Sequence, residues 1–579
     1  MAEPIKRFRW FYVAIAALFV VLALVRVVLS YPHTAQTFDE PYHVGAAVEL
    51  WSKGTYTQDP LHPPLQRIAI GLPLFLAGVR YPAAEEISPK DPLACAVGNA
   101  ALNSGGHYAR NLMLARLGVL PFLLLSCAVV FLWARREYGN VAAVAAVALY
   151  TTLPIVLAFS SIAYTDMVAA ATQLTAFWAF TNWLQKQSMR SAVLMGMAVG
   201  LALLGKTTTY LFFPAAVFGI VALRWAVIRT NKGEPQQISN FWLRQASAAA
   251  IVAIVVLWGG YGFKLQHFRE GMNLSGSPMP SFQHFPAPLR GAARGLVVAD
   301  PVVPAPALLR GLADIWLMEQ SRPDSYLLGH LKPGGWWYFF LVGIAVKSPI
   351  PFLILVFASL IFFYRFLKEG CWTPMAPAAC VVAILMVTMP VKINYGVRHV
   401  LLLFPLLAVV AGYGCSRLWN SNLLHRRAAI SILVVLLAWQ AVSSADASSD
   451  YIAYFNRFAG HDPSQVMVAG CDLDCGQDLL LLSRELRERH VSQMALALWT
   501  SADLSKAGLP EFTIAQPYQP VRGWFAISLR ALHAGDLFHT TYPQDSFAWV
   551  QTYRPVVRVG KTILLYNIAP EKTLSSESR

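Results

Sequence analysis

About eleven apolar runs punctuate the chain, at residues 11–30, 112–133, 141–158, 162–184, 192–204, 210–228, 246–263, 336–363, 376–390, 400–418 and 428–442. A helix that crosses a bilayer needs about 20 mostly apolar residues. Runs of this kind and number leave one reading: a bundle of helices that crosses a membrane repeatedly. Composition agrees. Hydrophobic residues make up 56% of the 579 and charged residues 13%, against about 25% charged in a soluble protein. A cytoplasmic enzyme, a secreted disulfide scaffold and a disordered chain are excluded. Seven cysteines in this length build no disulfide framework.

Charge then orients the bundle. The first run follows Lys6, Arg7 and Arg9, and Tyr31-Pro32-His33 stands where a cleavage site would need small residues. It reads as a retained first helix with a cytoplasmic N-terminus. On that register the even-numbered runs all end in short basic loops: at Arg135-Arg136, at Lys186 and Arg190, at Arg224, Arg229 and Lys232, at Arg365 and Lys368, and at Arg417, Arg426 and Arg427. The net charge of +15, from 46 Lys+Arg against 31 Asp+Glu, is therefore read as orientation, with the lipid bilayer as partner and no nucleic acid. The stretch 68–79 is apolar but too short to span, and counting it would invert every later loop. It reads as a helix at the outer interface.

The expected fold class follows. It is a mainly α, polytopic membrane protein with about eleven transmembrane helices in a core over residues 1–444. Interfacial helices occupy the first external loop, 31–110, and a second external loop covers 264–335. A small extracytoplasmic α/β domain spans 445–579, with a helix at 478–490 and strands at 494–498, 524–529 and 561–566. The expected location is a bacterial inner (plasma) membrane.

Ionisable residues beside membrane helices are costly and mark function or a solvated end. On this map Asp39, Glu40, His62, Asp166, Lys206, Lys347, Asn394, Arg398 and His399 all fall on the outer face, although they come from six separate segments. Carboxylates there can take a proton from a hydroxyl acceptor. Lysine and arginine can hold a phosphate. Such a mixture suits transfer of a group from a lipid phosphate to a hydroxyl.

Several of these residues sit in recognisable motifs. Phe38-Asp39-Glu40-Pro41-Tyr42-His43, then Glu49-Leu50-Trp51-Ser52-Lys53-Gly54-Thr55-Tyr56, then His62-Pro63-Pro64-Leu65 resemble the first external loop of the C-type membrane glycosyltransferases, the superfamily of protein O-mannosyltransferases and aminoarabinose transferases. Arg135-Arg136-Glu137-Tyr138-Gly139, Tyr164-Thr165-Asp166, Gly200-Leu201-Ala202-Leu203-Leu204-Gly205-Lys206, Lys347-Ser348-Pro349 and Asn394-Tyr395-Gly396-Val397-Arg398-His399 follow in family order. In the tail, Tyr454-Phe455-Asn456 and Asp472-Leu473-Asp474-Cys475-Gly476-Gln477 resemble two further patterns, with Cys475 where the family usually carries Trp.

The resemblance implies an enzyme that moves a sugar from a polyprenyl-phosphate carrier to a hydroxyl acceptor (protein, lipid or glycan) on the extracytoplasmic face. It implies Asp39 as base, with Glu40 and Asp166 in the catalytic group. His62 stands where the aminoarabinose transferases have Lys; with Lys206, Lys347 and Arg398 it is expected to bind the donor phosphate. Asn394, His399, Asp474 and Gln477 are expected to contact the acceptor or to support the site. A single displacement would invert the anomeric configuration, since no second carboxylate nucleophile is required. No His/Cys cluster has zinc spacing, so no metal ligands are assigned; a divalent cation on Asp39, Glu40 or Asp166 is left open. Cys471 and Cys475 form either a local disulfide or two free thiols. The competing reading is a multi-span secondary transporter, whose site would lie near the midplane on broken helices.

Overall fold

In a computed structural model of the chain, residues 2–230, 241–274, 287–421, 426–535 and 543–569 are described. Lys232 of the expected basic loops and residues 275–286 of the second loop lie outside them, as do 536–542 and 570–579 of the tail.

The first helix, α1 (Ala2–Ser30), leads into a loop and then α2 (Glu40–Lys53), α3 (Pro64–Leu76) and α4 (Leu93–Asn103). Pro41 sits in the first turn of α2, where its missing N–H costs nothing. Gly54 ends the helix at φ 64°, donating its N–H to the Leu50 carbonyl. α2 and α4 cross with their backbones almost touching. A Cβ on Gly98 would fall 1.8 Å from the Pro41 carbonyl oxygen, and one on Gly45 would fall 2.1 Å from that of Ala94. α3 has 13 residues, about 20 Å at 1.5 Å per residue, which is too short to cross a bilayer of about 30 Å.

The bundle continues through α5 (Tyr108–Leu117), α6 (Leu120–Tyr138), α7 (Asn140–Thr151), α8 (Pro154–Ser160), α9 (Asp166–Lys186), α10 (Met189–Gly205), α11 (Thr209–Thr230) and α12 (Trp242–Gly260). Then come β1 (Leu265–His267), α13 (Phe268–Gly271), α14 (Ala287–Ala299), β2 (Val302–Pro304), α15 (Pro306–Ser321), β3 (Asp324–Leu327) and β4 (His330–Pro333). β1 pairs with β2, and β3 with β4, both antiparallel. The remaining bundle helices are α16 (Phe339–Lys347), α17 (Ile350–Phe362), α18 (Tyr364–Glu369), α19 (Ala376–Thr388), α20 (Leu403–Trp419) and α21 (Arg426–Asp446).

The eleven expected spans do not all appear as such. Among the described residues, six helical stretches are long and apolar enough to cross a membrane: Trp10–His33, Tyr108–Tyr138, Thr209–Thr230, Trp242–Gly260, Ile350–Glu369 and Arg426–Asp446. A seventh is the pair α7 and α8, bent by 65° ahead of Pro154, since the residue before a proline avoids the helical region. α10, α19 and α20 are shorter apolar helices. α9 has the length, at 21 residues, but buries Asp166, Thr172, Gln173 and Thr181 inside the bundle. The run 336–363 is two helices because Pro349 forces Ser348 into extended backbone at ψ 138°.

The tail carries α22 (Leu479–Glu488), β5 (Gln493–Ala497), β6 (Glu511–Ile514), β7 (Gly523–Ser528), α23 (Leu529–His533), β8 (Val557–Val559) and β9 (Ile563–Ile568). The strands form one sheet in the order β6-β5-β7-β9-β8. β5 runs parallel to both its neighbours, and β9 antiparallel to both of its own. The tail is fastened to the loop that precedes α2. Ala35 N–H donates to the Gln477 carbonyl (2.9 Å), Phe38 N–H to that of Cys475 (3.0 Å), and the Phe38 ring stacks on Trp499 at 4.5 Å.

Candidate active site

Asp39 lies at the start of α2, with its backbone N–H donating to the Tyr164 hydroxyl at 2.8 Å. Its carboxylate accepts from Arg398 Nη1 at 2.6 Å. The Asp39 side chain is 29% exposed and that of Arg398 15%, so this ion pair stands at an accessible surface. Burial pushes the Asp39 carboxyl up. Arg398, with smaller contributions from His43 and His62, outweighs this and holds it below the usual carboxylate range. The Arg398 guanidinium also lies over the Tyr164 ring, 5.1 Å from its centre.

A second pair stands near enough for Asp166 to act on the charge of Arg398. Asp166 begins α9 and Lys206 ends α10, and their Oδ1 and Nζ are 2.5 Å apart, both buried. His399 has a buried Nε2 with no hydrogen-bond partner. Burial holds its imidazole well below the usual range, and the charges of Lys206, Arg398 and His62 add to this. Asp39, Asp166, Lys206, Arg398, His399 and His62 thus belong to one electrostatic cluster. Sequence alone had only put them on one face.

His62 Nδ1 donates to Asp59 Oδ1 at 2.8 Å, and His43 Nδ1 lies 3.3 Å from the other oxygen of the same carboxylate. Burial pushes Asp59 up, and the two histidines more than reverse it. The loop is clamped from below. Buried Arg67 donates to the carbonyls of Gln58 (3.0 Å), Asp59 (2.6 Å) and His62 (2.9 Å). Buried Glu49 accepts from Thr57 and Gln58 N–H at 2.9 and 3.0 Å.

Two expected roles, those of Glu40 and Lys347, are corrected. Glu40, expected in the catalytic group, is fully buried in a two-bond ion pair with Arg116, at 2.8 Å for each bond, and both side chains are 0% exposed. It also accepts from Thr37 and Ala163 N–H, at 2.8 and 2.9 Å. A carboxylate so saturated meets no substrate; it joins the loop before α2 to α5 and to the loop before α9. Lys347, expected on the donor phosphate, is buried and donates to the carbonyls of Ile452 (2.7 Å) and Asp472 (2.5 Å). Asn394 accepts from Trp336 N–H at 2.8 Å. Asp474 accepts from the N–H groups of Arg530 and Gly476, at 2.9 and 3.2 Å. Gln477 accepts from Cys475 N–H and donates to the Leu473 carbonyl, at 2.8 and 2.9 Å. Asn394, Asp474 and Gln477 are buried and bond to backbone groups, which is the geometry of the supporting alternative among their expected roles.

That support ends at Arg398. Asp472 Oδ1 accepts from Val397 N–H at 2.9 Å, and Gly396, at φ 103°, is so close to the tail that a Cβ there would lie 2.3 Å from the Gly470 carbonyl oxygen. Cys471 and Cys475 form a disulfide, and both sulfurs lie 3.4 Å from the Tyr164 hydroxyl.

Residues that sequence reasoning passed over are Arg116, Tyr164, His43 and Asp59. Arg116 had a signal, being a charged residue inside the apolar run 112–133, where ionisable groups demand a partner. Tyr164 and His43 stood inside quoted motifs, but nothing in their spacing pointed to Asp39 or Asp59.

Residues 110–258 match the family model described as dolichyl-phosphate-mannose-protein mannosyltransferase, so the resemblance to C-type membrane glycosyltransferases holds over the segment that carries Asp166 and Lys206. That match and the apolar helices point to a multi-pass integral membrane protein whose residues 110–258 are similar to that glycosyltransferase family. Among solved structures, the chain is similar to ArnT from Cupriavidus metallidurans bound to undecaprenyl phosphate, at 12% identity and TM-score 0.46, over 95% of this chain and 97% of that one. The apo form of the same protein gives 12% and 0.47 over the same shares. The Archaeoglobus fulgidus oligosaccharyltransferase, in complex with Zn and sulfate, gives 13% and 0.40 over 89% of this chain and 68% of that one. No curated protein sequence matches the chain.

Proposed function

We propose that the protein transfers a sugar from a polyprenyl-phosphate carrier to a hydroxyl acceptor on the extracytoplasmic face of a bacterial inner membrane. In this reading the N-terminus is cytoplasmic, residues 1–444 form the membrane core, and the tail 445–579 stands outside as a separate unit. The observation that carries it is the ion pair of Asp39 and Arg398, the accessible carboxylate beside the accessible cation.

Asp39 accepts the acceptor hydroxyl's proton as the oxygen attacks the anomeric carbon, and the carrier phosphate leaves. Arg398 and Lys206 stabilise the charge that grows on it. Before the donor arrives each cation already holds a carboxylate, Arg398 with Asp39 and Lys206 with Asp166. A phosphate that draws Arg398 towards itself weakens the very contact that holds Asp39 below the usual range, so donor binding itself raises the basicity of Asp39. With Glu40 saturated by Arg116, Asp39 is the acid left to act, which suits one displacement with inversion.

The test incubates purified full-length protein with a panel of polyprenyl-phosphate sugars and follows donor consumption. Asp39→Asn is expected to bind donor while transfer falls by about 10²–10⁴-fold. Full transfer by that variant would overturn the base role; no binding of any donor would overturn the reading as a whole.

A further inference from the structure

His43, Asp59 and His62 come together beside the proposed site without belonging to either of its ion pairs. Each offers one ligand atom, and the three atoms all lie within 4.8 Å of one another. The Asp59 carboxylate bridges the two imidazoles, one oxygen 2.8 Å from His62 Nδ1 and the other 3.3 Å from His43 Nδ1. A tetrahedral ion with ligand bonds of about 2.0–2.1 Å holds its ligand atoms about 3.3 Å apart, so these spacings need only small side-chain shifts to close on a cation.

Two further observations favour an ion over a bare hydrogen-bonded triad. His43 Nδ1 is buried and lies 3.3 Å from Asp59 Oδ2 without the geometry of a hydrogen bond. Buried polar atoms rarely stay unpaired, and a cation shared with Asp59 would satisfy it. The loop is also built in advance. Three hydrogen bonds from Arg67, and Glu49 accepting from Thr57 and Gln58, fix the backbone that carries Asp59 and His62. Rigid backing of this kind is what a metal site requires to select geometry. Two imidazole nitrogens and one carboxylate suit zinc and its neighbours in the transition series, and do not suit calcium or magnesium. The open side is that of His62, whose side chain is 28% exposed while His43 and Asp59 are at 4% and 9%.

We propose that His43, Asp59 and His62 bind one divalent transition-metal ion of the zinc class, with three protein ligands and a fourth position open on the His62 side. The second part of the proposal rests on the transferase reading: that position takes an oxygen of the donor phosphate, so the ion neutralises charge there together with Arg398 and Lys206.

The full-length protein is purified in detergent, stripped with a chelator, dialysed against zinc, and its metal measured by mass spectrometry. One zinc per chain is expected. Asp59→Asn, His43→Gln and His62→Gln are each expected to lose it, with affinity down by more than about 100-fold, while His267→Gln, at an exposed histidine, retains it. His62→Gln changes a part-exposed side chain, so it keeps the test sound if a buried variant fails to fold. Size-exclusion elution matched to the parent verifies each fold. No zinc in the parent, or equal zinc in a folded His62→Gln, overturns the metal site whatever the enzyme does. With cobalt in place of zinc, added polyprenyl phosphate is expected to change the visible absorption. An unchanged spectrum in a cobalt-loaded protein that still binds that lipid overturns the phosphate contact alone.

Discussion

Two acid–arginine pairs lie one residue apart in this molecule and have opposite fates. Glu40 meets Arg116 through two hydrogen bonds with neither side chain exposed, while Asp39 meets Arg398 through one, with 29% of its side chain open. The difference comes from the start of α2. A helix turns about 100° per residue, so consecutive side chains leave in different directions. Glu40 turns inward, to α5 and the loop before α9. Asp39 turns outward, to the loop between α19 and α20. A sealed pair has no spare lone pair and acts as a fastening. An open pair can exchange its partner, and that is what chemistry needs. Adjacent carboxylates in one motif therefore do not share an environment.

The largest effect is expected from Asp39→Asn. Sugar transfer is expected to fall by about 10²–10⁴-fold, the usual worth of a positioned base, with thermal unfolding in detergent unchanged; a large loss of stability would show that this pair, too, is a fastening. Glu40→Gln should do the reverse. It leaves Arg116 buried without its charge partner, at a cost of about 3–5 kcal/mol. Replacing both, Glu40→Gln with Arg116→Met, should recover part of that loss. A stable but inactive Glu40→Gln protein would return Glu40 to the catalytic group.

Arg398→Ala acts on the electrostatics of the open pair. Arg398 holds the Asp39 carboxyl down against burial, which pushes it up. Without it the carboxyl protonates at higher pH, so the acid limb of the residual pH–rate profile is expected to move upward. A fixed limb would mean that Asp39 is not the titrating base. The sign for stability is consistent: a carboxyl depressed in the folded state contributes above its unfolded value and loses that contribution as pH falls through the folded one.

The smallest effect belongs to the supports. Burial pushes the Asp474 carboxyl up to about 6, in spite of the N–H groups that donate to it. This is above the unfolded value of about 3.9. Between about pH 4 and 6 the folded chain therefore binds more protons than the unfolded one, and its contribution to stability falls as pH rises through that window, by on the order of 2 kcal/mol. The stability of the parent minus that of Asp474→Asn, measured from pH 4 to 7, should show that slope and then level off.

Much of the helical layout was legible in the apolar runs, because burying apolar surface depends on what a segment of about 20 residues contains and little on what surrounds it. Where reading failed, local backbone chemistry usually intervened. Pro349 divided one expected span and carried Lys347 to the inside, where two carbonyls of the tail hold it. α9 was legible as a helix but not as one sheathed by its neighbours, since burial of Asp166 and Gln173 depends on which helices pack around it. The acids and cations of the site were found by their cost: ionisable residues are scarce in this chain, so each one near a span asked for a reason.

From the sequence alone came the membrane setting and the short roster of groups available for chemistry, Asp39, Asp166, His62, Lys206 and Arg398 among them. Both follow from composition over short stretches of chain. Tertiary structure decided the pairings: Asp39 with Arg398 across 359 positions, Glu40 with Arg116 across 76, and His43 with His62 around Asp59. Electrostatic and coordination energies depend steeply on distances of a few ångströms, and only packing brings residues so far apart in the chain within such distances.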